Sequence, residues 1–316
     1  MIDKEAKKKL NLIDLGARLN DLVKFRVPTG FIVLDTITGG GFPAGRLVEV
    51  LGDFSSGKSR LAYHIMAMTQ KLGGTAMLLD EERALDEGLV DLTGVDILTL
   101  VYPDPNEVDT VEKVFETIEN GIEIFRVDNP DGLLTIVWDS VAATPGIEDL
   151  ENELGAPMGA ARRAKVISDG LKKIMKIVYA EKICLIFINQ IREKLNVLYG
   201  DKIDSIGGKA IKYAASLRLH CHLAGKIKNE QTAELDGYKG RVVVEKSRVC
   251  RPFGVWNFEM LTDRPIDKYA GLLDYYVRHE IVEKTGGWYS FNNTSLKFHE
   301  DDFPKIYEEW AQKERP

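Results

Sequence analysis

An α/β fold built around a mainly parallel sheet is the architecture this sequence predicts, with a short helical arm before it and a small α/β lobe after it. Three observations carry that expectation. Short apolar runs rich in Val, Ile and Leu alternate with longer stretches of helical periodicity, the pattern of strands buried on both faces and joined by crossover helices. One of those runs ends in a Gly-rich turn that opens directly onto a helix. The length of 316 residues, at roughly 150 per domain, leaves room for one large α/β domain with small appendages.

Taken in order, Ile2 to Phe25 reads as an amphipathic helix, with Leu10, Ile13, Leu15, Leu19, Leu22 and Val23 near helical spacing. It forms the arm, residues 1–25. The main domain follows over 26–262, with strands expected at Leu47–Leu51, Thr75–Leu79, Ile97–Val101, Leu133–Trp138 and Ile183–Asn189. Helices are expected between them at Lys58–Leu72, Asn106–Glu119 and Met158–Ala180. Three later runs, Ser216–Ala224, Arg241–Glu245 and Val255–Leu261, have no long helix between them and read as antiparallel additions. The lobe, 263–316, holds a helical pattern at Leu272–His279, a turn at Gly286-Gly287 and a last helix over Pro304–Gln312.

Composition is ordinary for a globular chain, with 44% hydrophobic and 29% charged residues. No apolar run reaches the roughly 18 residues of a membrane span. The opening MIDKEAKKKL lacks the apolar segment of a secretory signal, so a cytoplasmic location without membrane contact is expected. Cys184, Cys221 and Cys250 have neither paired nor metal-ligand spacing and read as reduced thiols. The net charge of −7 disfavours a polyanionic partner when taken globally. Its distribution is uneven: Leu79 to Glu153 carries 21 acidic and 3 basic residues, whereas Leu154 to Arg251 carries 20 basic and 9 acidic.

The strongest motif is Gly52-Asp53-Phe54-Ser55-Ser56-Gly57-Lys58-Ser59, a full G-x-x-x-x-G-K-[ST] between an apolar strand and a helix. Its backbone N–H groups cradle phosphates, Lys58 reaches the β- and γ-oxygens, and the Ser59 hydroxyl is a Mg²⁺ ligand. The run Leu133–Trp138 ends in Asp139, a carboxylate placed to reach Mg²⁺ directly or through water. ATP and Mg²⁺ are therefore the expected ligands. Hydrolysis also requires a group on the attacking water, and Asp80, Glu81 and Glu82 all stand at the end of the strand Thr75–Leu79. Spacing alone does not choose among them. Gln190, after the strand Ile183–Asn189, either bonds the γ-phosphate or finishes a turn.

From about Val27 to Asn293 the chain resembles the RecA recombinases, phage UvsX-type proteins among them. The likeness is carried by the P-loop stretch and by LLDEERALD, TIVWDSVAATP, MGAARRAK, LIFINQIREKLNVLYGDK, SIGGKAIKYAASLRL and VEKSRVCRPF. The resemblance implies a RecA-like P-loop ATPase core and a DNA-dependent ATPase that forms helical filaments on single-stranded DNA and exchanges it with homologous double-stranded DNA. It implies Glu82 as the catalytic glutamate, Gln190 as the γ-phosphate sensor, and Lys246 and Arg248 as cations that complete a neighbouring subunit's ATP site. Asp86 falls near the edge of the base. DNA contacts are implied at Met158, Arg162, Arg163 and Lys165 in a first segment, and at Arg192, Tyr199, Gly207 and Gly208 in a second. Recombination mediator proteins are further partners that the resemblance allows.

The chain departs from the family at Leu89, where bacterial members place a Tyr against adenine, and in its reduced arm. These departures keep open a second reading, a nucleotide-binding regulator or mediator that does not exchange strands. Other residues read as structural. His220 and His222 share a strand face without a Cys/His set to complete a metal site, and His64 reads as helix surface. Trp138, Trp256, Trp288 and Trp310 are expected in core or lobe packing, and Lys172, Lys173 and Lys176 face solvent.

Overall fold

The computed structural model describes residues 25–151, 159–193, 203–205, 208–229, 231–292, 294 and 296–314. The arm over 1–24, Met158, Tyr199 and Gly207 lie outside them, and Arg192 is placed by its backbone alone.

Two short strands, β1 (Arg26–Val27) and β2 (Phe42–Pro43), and helix α1 (Ile32–Thr38) precede the central strands, which are β3 (Arg46–Gly52), β4 (Thr75–Asp80), β5 (Leu134–Asp139, followed by the short helix α5, Ile147–Glu151), β6 (Ile183–Glu193), β8 (Leu217–Lys228), β9 (Leu235–Ser247) and β10 (Val255–Leu261). They lie side by side in the order β10-β9-β8-β3-β6-β5-β4, with the short β7 (Ile203–Ser205) pairing the far end of β6. From β8 through β3, β6 and β5 to β4 all pairings are parallel, whereas β9 and β10 add antiparallel. This is the mainly parallel sheet with antiparallel additions that the apolar runs predict.

Successive residues on these strands alternate between two cores, as the period of two requires. Cys184, Ile186 and Ile188 of β6 enter one cluster with Leu61, Ile65 and Met66 of helix α2 (Lys58–Lys71). Ile183, Leu185 and Phe187 enter the other, with Phe115 and Ile118 of α4 (Val111–Asp128) and Leu171 and Ile174 of α6 (Gly159–Ala180). Strands β3 to β6 are thus covered on both faces, which is why their runs read as continuously apolar.

Two expected elements differ. Ile97–Val101 is not a strand: only Val101 forms a bridge, to Met77. Asp96 accepts hydrogen bonds from Leu98 N and Thr99 Oγ1, and Gln70 holds the Asp96 backbone N–H and C=O. That local bonding turns the chain and leaves Ile97 58% and Leu98 91% exposed. The helix expected over Asn106–Glu119 begins later and runs further, over Val111–Asp128. Asp104 binds the Asn106 N–H in a turn, and Thr110 supplies the N-cap by accepting from Lys113 N.

After β10 come α8 (Leu272–Arg278), an antiparallel sheet of β11 (Val282–Thr285), β12 (Trp288–Phe291) and β13 (Lys297–Phe298), and α9 (Phe303–Glu314). Gly286 takes φ +64 in the Gly-Gly turn between β11 and β12. Phe291 stacks on Trp310 at 4.4 Å, and Trp256 is fully buried with its indole N–H on the Ala270 carbonyl. Trp288 departs from the expectation: it is half exposed, against His299.

His64 is not helix surface. It lies edge-on to Phe31 at 4.8 Å, its Nε2 is buried without a partner, and burial pushes its pKa down to about 4. The unfolded chain therefore binds more protons than the folded one between pH 6.5 and 4, so stability present at neutral pH is lost as pH falls through that window. The loss approaches about 3 kcal/mol. Thermal melts across this range, compared with His64→Phe, check it: the variant is expected to have the shallower acid slope.

Candidate nucleotide and DNA site

The P-loop leaves β3 at Gly52 and enters α2 at Lys58. A Cβ on Gly52 would stand 2.1 Å from the Cys221 carbonyl oxygen, so only glycine lets the strand end there. Gly57 takes φ +87 as the residue preceding α2, turning backbone N–H groups inward at the helix N-terminus. Ser56 Oγ and Lys58 Nζ both donate to the Asp53 carbonyl, at 2.7 and 2.6 Å. Ser55 holds φ +57 and Phe54 projects into solvent. Burial pushes the Lys58 pKa down, with Glu82 and Asp139 among the groups that oppose the shift.

Asp139, fully buried at the end of β5, lies beside the Ser59 hydroxyl. Its Oδ1 has no hydrogen-bond partner, and Tyr63 Oη makes a long 3.4 Å contact with Oδ2. Burial pushes its pKa up to about 7, against the pull of Ser59. Tyr63 was missed in the sequence, although it stands one helical turn after Ser59 on the same face.

The three carboxylates that spacing could not separate have three different surroundings. Asp80 is buried and consumed locally, accepting from Ala84 N, Leu85 N and Tyr102 Oη. Glu81 is pushed up to about 7 by burial and by Asp109 and Asp80. Glu82 is exposed, with its Oε1 accepting from Ser140 Oγ and, at 3.0 Å, from Gln190 Nε2. Ser140, too, went unremarked in the sequence.

Gln190 lies opposite Gly52 in the β3–β6 register, so β6 brings it to the P-loop by strand pairing alone. Over the next three residues, Ile191 to Glu193, β6 pairs with β7 as the chain enters the second segment expected to meet DNA. Arg192 pairs there with Asp204. Gly208, at φ +79, precedes α7 (Lys209–Ala214), and a Cβ on it would meet Ala164 of α6 at 3.2 Å. The two segments expected to meet DNA therefore approach each other at Ala164, between Arg163 and Lys165. Arg162 is exposed and pairs with Glu148, Lys165 is exposed, and Arg163 turns back to the Thr144 carbonyl at 3.2 Å.

Lys246 and Arg248 do not reach this chain's own P-loop. Lys246 Nζ donates to the carbonyls of Lys212, Tyr213 and Ala215, and Arg248 Nη2 to that of Tyr213, at the end of α7. Burial and the neighbouring Arg248 and Arg218 push Lys246 down to about 8. Asp86 is exposed and caps α3 (Glu87–Thr93) by accepting from Leu89 N at 2.7 Å, with Leu89 half buried against the core. Lys172 and Lys173 face solvent, and His220 and His222 lie ring to ring at 3.8 Å.

Comparison with known proteins agrees with this arrangement. The profile of the RecA N-terminal domain matches residues 1–267. Protein RecA of Heliobacterium modesticaldum is 38% identical over 90% of this chain and 80% of its own length. Protein RecA of Aquifex aeolicus is 35% identical over 92% and 83%. The chloroplastic DNA repair protein recA homolog 1 of Arabidopsis thaliana is 39% identical over 85% of this chain and 59% of its own. With a P-loop, a paired Glu82 and Gln190, and relatives alike over most of its length, the chain belongs to the RecA family.

Proposed function

We propose that this chain is an ATP-dependent recombinase. It polymerises on single-stranded DNA as a helical filament, pairs that strand with homologous double-stranded DNA, and hydrolyses ATP at subunit interfaces when DNA is bound. The junction at Glu82 carries the reading: this carboxylate shares a hydrogen bond with Gln190, which lies opposite Gly52 of the P-loop on the strand that continues toward the second segment expected to meet DNA.

Mg²⁺ fits the pair Ser59 and Asp139, because a buried carboxylate oxygen without a partner beside a hydroxyl is a hard-oxygen donor set. Among the described residues no group of three or more His, Cys, Asp or Glu is placed to hold a metal, and a nucleotide-bound Mg²⁺ takes most of its ligands from phosphate and water. When bound, the ion offsets the charge of the β- and γ-phosphate oxygens. The P-loop N–H groups, Gly52 through Ser59, hold the phosphates, Lys58 exchanges the Asp53 carbonyl for phosphate oxygen, and Asp86 faces the base. Glu82 orients and deprotonates the attacking water. Gln190 reads the γ-phosphate, and Lys246 and Arg248 supply positive charge to the neighbour's transferring phosphoryl group. Arg162, Lys165 and Arg192 track the DNA backbone, with Arg163 bracing the first segment, Gly207 and Gly208 allowing close approach, and Met158 and Tyr199 managing the bases.

Residues 1–25 act as a polymerisation arm, 26–262 as the ATPase core and 263–316 as a small lobe, in a protein of the cytoplasm. No helix among the described residues is long and apolar enough to cross a membrane. The alternative of a regulator without strand exchange draws no support from a site that keeps Glu82 and both interface cations.

Turnover is expected to rise on addition of single-stranded DNA, and DNA affinity to fall about twentyfold between 50 and 200 mM salt, as release of counterions from about three phosphates requires. Measuring both by ATPase titration and fluorescence anisotropy tests the proposal, with electron microscopy for filaments and strand pairing read as joint molecules. ATP turnover indifferent to DNA overturns it.

A further inference from the structure

A line of buried polar side chains crosses four strands of the central sheet, from the floor of the nucleotide site to the strand that carries the interface cations. Asn189 accepts the Gln190 N–H on its Oδ1 at 3.0 Å and donates from Nδ2 to Glu49 Oε1 at 3.0 Å. The other oxygen of Glu49 accepts from Arg218 Nε at 2.5 Å, and Arg218 Nη1 donates to Glu245 Oε1 at 2.8 Å. Glu49, Asn189 and Arg218 are buried, and Glu49 lies directly opposite Arg218 in the β3–β8 register.

The end of this line coincides with a break in the ladder. Arg218 pairs with Lys246 and Leu219 with Val244, so Glu245 has no partner and forms a bulge. Val242 and Val244 enter the core that contains α2. Strict alternation would send Lys246 the same way, but the extra residue resets the alternation and turns both Glu245 and Lys246 toward Arg218 and α7. Arg218 binds the bulged residue itself.

Sheet stability does not account for the arrangement. A buried ion pair pays a desolvation penalty that apolar residues of similar volume avoid, and their substitution is often neutral or stabilising. The neighbours of Glu49 on the same face of β3 are Leu47 and Leu51, both buried, so that face accommodates such residues. We propose that Glu49 and Arg218 are positioning residues that set Gln190 for this subunit's ATP and Lys246 for the neighbour's from a single ion pair, so that successive ATP sites along the filament are adjusted together. The proposal rests on the reading above that Gln190 and Lys246 act on ATP. Glu49 fixes which way the Asn189 amide faces and thereby the Gln190 backbone. Arg218 fixes the bulge and thereby the face on which Lys246 leaves the strand.

Glu49→Gln tests this, because an amide offers one acceptor and one donor end where Asn189 Nδ2 and Arg218 Nε both donate. Its kcat for DNA-stimulated hydrolysis is expected to fall about tenfold per folded chain, with KM for ATP within twofold of the parent and a Hill coefficient for ATP nearer to one. Glu245→Ala, at a half-buried position, is expected to move kcat and the Hill coefficient in the same direction by a smaller factor, and it decides the matter alone if Glu49→Gln does not fold. Folded variants with parental kcat and Hill coefficient overturn the proposal, provided Gln190→Ala and Lys246→Ala abolish the DNA-stimulated rate. Full activity in those last two overturns instead the reading on which it rests.

Discussion

Replacing Glu82 by Gln is expected to lower DNA-stimulated ATP turnover by at least about a hundredfold, roughly 2.7 kcal/mol of activation free energy, which is the scale of a lost general base. The exchange keeps the shape of the side chain, and Ser140 Oγ can still donate to the amide oxygen. Nucleotide binding is expected to survive, so filaments assembled on single-stranded DNA with ATP should outlast those of the parent. The neighbouring carboxylates supply the contrast. Glu81→Gln is expected to leave turnover within twofold and to raise stability slightly at pH 8, because Glu81 titrates near 7 in the folded chain and its ionised form is disfavoured there. Asp80→Asn is expected to damage the fold, since that carboxylate holds the backbone N–H groups of Ala84 and Leu85. Steady-state ATPase rates and thermal melts of the three variants distinguish chemistry from scaffolding. A Glu82→Gln rate within threefold of the parent would remove this residue from the chemistry.

That three adjacent carboxylates divide in this way marks the boundary of what the sequence makes legible. The P-loop is readable because its geometry depends on residue type: at Gly52 a Cβ meets backbone, and at Gly57 the chain takes a positive φ. The strands β3 to β6 are readable because both faces are covered, which forces continuous apolar runs. Asp80, Glu81 and Glu82 are of equivalent residue type at a strand end, and what separates them is the hydrogen bond that Asp80 accepts from Ala84, the like charge of Asp109 beside Glu81, and the hydrogen bond that Glu82 accepts from Gln190, of which only the first is local in sequence. The resemblance to RecA recombinases singled out Glu82, and the geometry brings that residue to Gln190.

The failures have a common cause. Ile97–Val101 has strand composition, yet Asp96 and Gln70 satisfy its backbone in another way, an outcome decided by side chains rather than by apolar pattern. The bulge at Glu245 is silent in composition because alternation is simply interrupted, and it becomes visible only through the pairing with β8. The overall charge misleads in the same sense. The acidic stretch from Leu79 spans the carboxylates around Asp139, whereas the basic stretch from Leu154 holds α6, the second DNA segment and the strand of Lys246. Summing over the chain averages two stretches of opposite charge.

Removing both interface cations, as Lys246→Ala with Arg248→Ala, is expected to lower DNA-stimulated turnover by about a thousandfold, the scale of a lost arginine finger. ATP affinity of the isolated chain should stay unchanged, because neither group reaches its own P-loop. The three N–H donors of Lys246 are matched by the carbonyls of Lys212, Tyr213 and Ala215, and Arg248 shares the Tyr213 carbonyl. To reach a neighbour's phosphate, both must leave the end of α7, which begins immediately after the second DNA segment. DNA that shifts α7 would thus free the cations, making stimulation by DNA a matter of where Lys246 is held. Mixing provides the decisive measurement. Chains lacking both cations and chains carrying Lys58→Ala are each expected to be inactive alone, yet a mixture regains activity where an intact P-loop meets an intact pair from its neighbour. If the cations served their own chain, two inactive proteins would remain inactive together.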